Sequence, residues 1–459
     1  MTLTTGLGDL LAELDWRGML HATTPGLPAR LATGRPISGY NGFDPSGPSL
    51  HIGHLVPIFG LLRLQRHGGR PVALLGGGTG MIGDPSGRSL ERNLLDRETL
   101  ATNVAAIGTQ LERFLDFSGS TGATMVDNLD WLDEIRLIDW LRDVGKHFTI
   151  PYMLAKDSVQ VRLERGLSFT EFSYMLLQAT DFEHLYRTMG VELQMGGADQ
   201  WGNITAGLEL IRRRSGDAVI ADTQSHSLAD SYLTTEGPGE TETIIADRSQ
   251  EPAHGLAYKL LLSPSGTKFG KSESGESVWL DPRRTSPFAF YQYWFNVDDR
   301  DVGTYLRWFT LMTRDEIEGL EAELAAHPEA RAAQRALARD ITLRTHGADA
   351  LKQAEEASDL VFSREPTRNE GALATLHDSG LGFKITEAWL AGSLAQLLVQ
   401  AGLFGSLGEV RRLISGGGLT VNYERVVDPA AGVPPLLFGR WLDVAIGKKG
   451  RHIGRLAGD

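Results

Sequence analysis

From about Arg35 to Arg214 the chain alternates short apolar runs with helical patterns, and no other feature restricts its fold as strongly. Pro71-Val72-Ala73-Leu74-Leu75 is one such run, and it ends in Gly76-Gly77-Gly78-Thr79-Gly80. Strand, glycine-rich turn and helix in repeated succession favour an α/β fold with a Rossmann-like parallel sheet. Ligands of such sheets collect at the carboxyl ends of the strands, where the glycine-rich turns lie. Beyond Pro287 the pattern becomes helical, through Arg314-Asp315-Glu316-Ile317-Glu318-Gly319-Leu320 and an alanine-rich run to Leu343. Ser363 to Gly371 is polar and rich in breakers, which predicts a linker. The expected organisation is an α/β domain over residues 1–285, a helical domain over 286–362, a linker over 363–388 and a small α+β domain over 389–459.

A chain of 459 residues is longer than one hydrophobic core usually supports, which agrees with that division. It has no cysteine, so disulfide staples and thiolate metal sites are excluded. Met1 to Arg17 has no basic start followed by a long apolar stretch, and no apolar segment is long enough to span a bilayer. A soluble, cytoplasmic protein without a membrane partner is expected. The formal net charge of −13 argues against indiscriminate coating of nucleic acid but leaves room for a local basic patch.

Two short motifs more than two hundred residues apart together describe one nucleotide site. Clustered Gly and Pro from Tyr40 to Leu50, a stretch that includes Asp44 and Ser46, are expected to forbid regular structure until the apolar run Leu55 to Leu64 begins a helix. His51-Ile52-Gly53-His54 therefore sits at a helix N-terminus, where unpaired amide N–H groups and the positive dipole end attract phosphate. Gly53 has no side chain to keep a flat adenine away, and His51 and His54 are spaced to share a face. The second motif, Lys268-Phe269-Gly270-Lys271-Ser272, carries two cations behind Ser263-Pro264-Ser265-Gly266-Thr267, which predicts a loop free to close over a polyphosphate. Two histidines beside an apolar run are more often packed or solvated, and a Lys-x-x-Lys loop is usually wet surface. It is their pairing and order that point to ATP. No tightly bound cofactor is expected, and Mg²⁺ is expected only as the companion of ATP because no dedicated ligand cluster is visible.

Four further clusters carry polar chemistry within the α/β region. Gly83-Asp84-Pro85-Ser86-Gly87 alone would be a surface turn. Tyr174, Gln178 and Asp181 are spaced by four and three, so one helical face presents a phenol, an amide and a carboxylate, groups that need partners when buried. Gln194-Met195-Gly196-Gly197-Ala198-Asp199-Gln200-Trp201-Gly202-Asn203 has a glycine pair where backbone must approach a ligand. Tyr40, ahead of the first histidine motif, is the fourth.

The histidine and lysine motifs together resemble the signature pair of class I aminoacyl-tRNA synthetases, the second altered to Phe-Gly in its middle. With the four clusters, in order from about Tyr40 to Ser272, the resemblance extends to the bacterial tyrosyl-tRNA synthetases. It implies ATP-dependent attachment of L-tyrosine to tRNA(Tyr), by a homodimer, through tyrosyl adenylate. It also implies roles. Tyr40 and Asp181 would meet the substrate phenol, and Asp84, Tyr174 and Gln178 would hold its ammonium. Gln194 and Gln200 would lie beside the amino acid and its adenylate. Asp199 and Gly53 would contact ribose and adenine, with Gly42 and Asp44 in the same ATP site and Asp44 as a support. His51, His54 and Ser46 would meet the outer phosphates, and Lys268, Lys271 and Ser272 the departing pyrophosphate. The Tyr40 and Asp181 pair suits a phenol, which both donates and accepts. An ammonium wants a carboxylate and neutral acceptors, which the second group supplies.

The C-terminal segment is locally basic on an acidic chain, with Arg411 and Arg412 in a helical pattern and a final run containing Lys448, Lys449 and Arg451. That is the pattern of a backbone-binding RNA module, and it resembles the small RNA-binding domain that bacterial tyrosyl enzymes carry at this end. The stretch from Ala221 to Pro252 is acidic, rich in breakers and longer than the family's usual connection, which predicts an exposed insertion. A tryptophanyl-tRNA synthetase or a tRNA-independent nucleotidyltransferase would share much of this core. The trio of Tyr40, Asp181 and the basic C-terminus favours the tyrosyl reading.

Overall fold

The computed structural model describes residues 6–84, 95–156, 159–160, 166–215, 252–261, 277–363, 365–367, 369–447 and 450–457. Lys268, Lys271, Ser272, Lys448, Lys449 and almost all of the expected insertion lie outside the described residues. The chain divides into two compact units, Met1–Leu280 with Arg300–Gly319, and Asp281–Asp299 with Leu320–Asp459.

In the first unit the described residues form a six-stranded sheet from β1 (Leu20–Thr23), β2 (Ser38–Phe43), β3 (Arg70–Leu75), β4 (Thr124–Asp127), β5 (Val191–Gly197) and β6 (His254–Tyr258). Their spatial order is β1-β6-β5-β2-β3-β4, parallel throughout except where β1 meets β6. The expected parallel α/β architecture is therefore present. From β2 the chain builds outwards through β3 and β4, and on the other side of β2 it builds through β5 and β6. The boundary between β2 and β5 is the switch point at which sheets of this kind bind ligands.

Helices cover the sheet because their apolar residues fall at helical spacing. Leu55–Arg66 buries Leu55, Ile58, Phe59, Leu61, Leu62 and Leu64. Phe169–Met189 starts at a Ser168 cap whose hydroxyl accepts from the Glu171 amide, and it ends at Gly190 in the left-handed region, which glycine tolerates. Phe182 and Leu185 from this helix pack with Ile204, Leu208 and Ile211 of Trp201–Arg214 and with Val72, Leu74 and Val191 of the sheet.

Residues 300–319, expected within a separate helical domain, fold instead with the first unit. The cause is a set of buried arginines. Arg17 donates to the carbonyls of Arg307 and Met312 at 2.7 Å each, and the buried Arg63 donates to those of Arg307 and Trp308 at 2.8 Å each. Those of Arg307 and Trp308 are among the last C=O groups of the helix Asp299–Phe309, which have no partner within the helix, and Met312 follows it. Two guanidinium groups at a helix C-terminus also oppose its dipole favourably.

The second unit holds helices Pro287–Phe295, Ala332–His346 and Ala348–Phe362, and a five-stranded sheet in the order β7-β11-β10-β8-β9. These strands are β7 (Gly382–Ile385), β8 (Leu419–Val421), β9 (Glu424–Arg425), β10 (Trp441–Ile446) and β11 (Gly450–Leu456). Leu397, Leu398, Val410, Ile414, Val421, Leu442 and Val444 form its core. The stretch 363–388, expected as a linker, contributes structure: Glu370–Leu376 is a helix capped by Asn369, and β7 pairs in parallel with β11. Its polar start hides an amphipathic remainder, since Ala372, Leu373, Leu376, Phe383 and Ile385 are buried.

Arg451 corrects a second expectation. It was expected on a tRNA-binding surface, but it is buried, with its guanidinium paired to Asp443 at 2.5 and 2.8 Å. It also donates to the carbonyls of Leu360 and Ser363, at the end of the helix Ala348–Phe362. A buried carboxylate needs that charge opposite it, which is why the residue faces inwards. Arg451→Ala should cost about 3–5 kcal/mol by leaving Asp443 buried and unpaired. Chemical unfolding of the purified chain checks this, and an unchanged transition for the second unit would contradict it.

Candidate functional site

The carboxyl ends of β2 and β5 open into a cavity of about 370 Å³ within the first unit. Tyr40 and Gln194 are register partners on those strands, and both line the cavity while being almost wholly buried. Among the described residues neither the Tyr40 hydroxyl nor Gln194 Oε1 has a hydrogen-bond partner. A buried polar atom left unpaired costs free energy, so the pair marks a place where a polar ligand compensates. Burial, reinforced by the Asp181 charge, pushes the Tyr40 phenol well above its ordinary pKa, and it stays protonated as a donor.

Helix Phe169–Met189 brings Tyr174, Gln178 and Asp181 to this cavity on one face, as their spacing predicts. Asp181 is 1% exposed, yet both of its oxygens are satisfied, Oδ1 by the Trp131 indole at 2.8 Å and Oδ2 by Asn128 Nδ2 at 2.9 Å. Burial pushes its carboxyl up to about 8; those two hydrogen bonds oppose the shift, and the charges of Asp44 and Asp127 add to it. Tyr174 donates its proton to Asp44 Oδ2 at 2.9 Å. The Tyr174 oxygen therefore has only lone pairs left to offer, which suits a cation.

Asp84, Gln200, Gln178 and Asn203 form a second set. Gln200 Nε2 donates to Asp84 Oδ2 at 2.7 Å, and Asn203 Nδ2 lies 2.9 Å from Gln178 Oε1 and 3.1 Å from Gln200 Oε1. One carboxylate and two oriented amides, from Asp84, Gln178 and Gln200, thus line the same cavity as Tyr174.

The histidine motif also lines the cavity, through His51, Gly53 and His54. Ile52–His54 is a turn of 3-10 helix leading into Leu55–Arg66, and His51 Nδ1 accepts from the Gly53 amide at 3.0 Å. A neutral His51 thereby carries its proton on Nε2, as a donor. His54 Nδ1 accepts from the His51 amide at 3.1 Å, and the two rings lie 4.1 Å apart. Leu50 and Ile52 hydrogen-bond with Leu280 and Val278 on either side of Trp279, whose ring meets His51 edge-on at 6.1 Å. Leu261, on the other flank of the segment that carries the lysine motif, also lines the cavity.

The remaining candidates divide. Gly42, Asp44, Gly53 and Asp199 line the cavity, whereas Ser46 is exposed and does not. Arg411 and Arg412 are exposed on the helix Leu407–Ser415 of the second unit. Sequence reasoning missed Asn128, Trp131 and Thr79, and it gave Asn203 no part. Asn128 and Trp131 follow directly on β4, and polar residues just past a strand of a parallel sheet are a signal that could have found them.

A family model described as tRNA synthetases class I (W and Y) matches residues 32–363 of this chain. A tyrosine–tRNA ligase from Anaeromyxobacter dehalogenans (strain 2CP-1 / ATCC BAA-258) is 49% identical over 417 residues, covering 90% of this chain and 91% of the relative. One from Geobacillus stearothermophilus is 45% identical over 460 residues, covering 98% of this chain and 100% of the relative. Among solved structures, a C-terminally truncated mitochondrial tyrosyl-tRNA synthetase of Aspergillus nidulans is similar with a TM-score of 0.63 at 28% identity, over 77% of this chain and 94% of that one.

Proposed function

The chain belongs to the class I tRNA synthetases of the tryptophan and tyrosine family, and we propose that it charges tRNA(Tyr) with L-tyrosine in two ATP-dependent steps through the residues of this cavity. The observation that carries the tyrosine reading is the buried Tyr40 hydroxyl without a partner, facing the same cavity as the Asp181 carboxylate. A phenol answers both, accepting from Tyr40 and donating to Asp181. An indole N–H has no acceptor to offer Tyr40, so tryptophan leaves that donor unpaired. Asp84, Gln178 and the Tyr174 oxygen receive the substrate ammonium.

In the first step the tyrosine carboxylate attacks the α-phosphorus of ATP, an oxygen–phosphorus bond forms, and the bond to the β-phosphate oxygen breaks. The nucleophile is already ionised, so no general base is required. The work of the protein is alignment and charge stabilisation. His51 and His54 act as donors to the phosphates, and Lys268 and Lys271 with Ser272 meet the charge that grows on pyrophosphate. Gly42, Gly53 and Asp199 hold the nucleoside, and Mg²⁺ enters with ATP. In the second step a ribose hydroxyl at the 3′ end of tRNA attacks the tyrosyl carbonyl and AMP leaves. Exposed Arg411 and Arg412, with Lys448 and Lys449, contact the tRNA backbone.

The enzyme works as a homodimer. Leu137, Ile138 and Ile150 are 67%, 71% and 58% exposed in one stretch of the first unit, an apolar surface that a second copy would cover. A light-scattering mass of twice 50.1 kDa is expected, and a mass of one chain would contradict it.

Pyrophosphate exchange into ATP with each of the twenty amino acids, followed by charging of total tRNA, tests the reading as a whole. Exchange with tyrosine alone is expected. Exchange with tryptophan instead, or none at all, would sink it.

The carboxylate form of Asp181 is the one that accepts the phenol. KM for tyrosine should therefore fall as pH rises through about 8, the point to which burial pushes that carboxyl. Asp181→Asn should raise KM and abolish the dependence. A KM that is flat across this pH range in the unaltered enzyme would contradict the role given to Asp181.

A further inference from the structure

Thr79 stands in the glycine-rich turn after β3 and is 3% exposed. Its hydroxyl donates to Asp44 Oδ1 at 2.8 Å and accepts from Asn128 Nδ2 at 2.9 Å. The direction of both bonds is determined, since an ionised carboxylate only accepts and an amide nitrogen only donates. The other N–H of Asn128 goes to Asp181 Oδ2 at 2.9 Å, and Asn128 Oδ1 accepts from the Gly78 amide at 2.7 Å. The Asn128 carboxamide cannot turn over without losing all of these bonds. At the far end Asp44 Oδ2 accepts from the Tyr174 hydroxyl at 2.9 Å.

An unbroken path therefore runs from Trp131 through Asp181, Asn128, Thr79 and Asp44 to Tyr174. One end is the carboxylate that reads the phenol, and the other is the oxygen that receives the ammonium. Among the described residues Thr79 joins the two halves, because its hydroxyl accepts from the Asn128 amide and donates to the Asp44 carboxylate. We propose that Thr79 is a positioning residue of the tyrosine site, holding the phenol-reading and ammonium-holding ends in mutual register without touching the substrate. This rests on the tyrosine reading of the cavity given above.

Valine has nearly the shape of threonine but can neither donate nor accept. In Thr79→Val one Asn128 N–H is buried without its acceptor and Asp44 loses one donor, so the link that sets the two side chains against each other is broken. Asp181 is faced by Tyr40 from β2, by Asn128 and Trp131 from the segment after β4, and by the charges of Asp44 and Asp127. Loosening the alignment of the Asn128 donor makes the Asp181 carboxylate harder to form.

Pyrophosphate exchange with tyrosine and with phenylalanine, measured across pH, reads these consequences. Thr79→Val should lower the ratio of kcat/KM for tyrosine over phenylalanine about tenfold or more, chiefly by raising KM for tyrosine. It should also move the pH midpoint of that KM upwards. Thr79→Ser, which keeps the hydroxyl, should restore both the ratio and the midpoint. A Val variant with unchanged ratio and midpoint, or a Ser variant as impaired as the Val variant, would overturn the proposal. Should the Val variant not fold, Thr79→Ala against Thr79→Ser makes the same comparison, and equal ratios for the two would again overturn it. Failure of the tyrosine reading itself has a different signature, namely the absence of tyrosine-dependent exchange in the unaltered enzyme.

Discussion

A carboxylate removed from water is tolerable only where both of its oxygens are given donors, and Asp181 imposes that requirement on the centre of the first unit. It sits on a helix packed against the sheet, and the donors come from the segment that follows β4, the indole of Trp131 and the amide of Asn128. Those donors must themselves be held. The Trp131 ring stacks on His184 with centroids 4.4 Å apart, and Asn128 is fastened to the Gly78 amide and the Thr79 hydroxyl. The edge strand β4, the turn after β3 and the helix Phe169–Met189 are thus tied together through one buried carboxyl group. What this leaves towards the cavity is an oriented acceptor beside the unpaired Tyr40 donor, a combination that a phenol satisfies.

The nucleotide end is built on a different principle. There the amides of residues 51–55 are spent within the chain, on the two histidine rings, on Val278 and on the turn itself, so the two histidines are locked by the turn they occupy. The strand-like return Val278–Leu280 pairs with Leu50–Ile52, so the segment that follows the lysine motif is anchored beside the histidine motif. At the same time the C-terminal half of the histidine-motif helix offers Arg63 to the carbonyls of residues 307 and 308. A single helix therefore takes part in both the site and the packing of residues 300–319.

Much of this was legible in the chain itself. The parallel sheet followed from the alternation of runs and glycine-rich turns, and the face shared by Tyr174, Gln178 and Asp181 followed from spacings of four and three. Both depend on local periodicity, which packing left intact. The place of Asn128, Trp131 and Thr79 after strands marks them as candidates, but their pairing with Asp181 and Asp44 was not legible, because it joins segments far apart in the chain. Arg451 misled for a related reason. A basic run looks the same whether its charges face solvent or a buried Asp443, and only the pairing of β10 with β11 brings those two together. The stretch 363–388 misled because its first residues are polar, while its later apolar positions find a helix and a strand to pack on.

By itself the sequence determined the inventory and the short-range geometry. It settled which groups can donate, accept or carry charge, which of them share a helical face, and where glycine-rich turns end strands. Tertiary structure decided the partnerships: which donor answers Asp181, that Tyr174 spends its proton on Asp44, and that Arg451 is an internal counter-ion. The physical reason is desolvation. The free energy of a buried polar group depends on every neighbour that replaces its water, and those neighbours come from segments tens to hundreds of residues away, which no local pattern records.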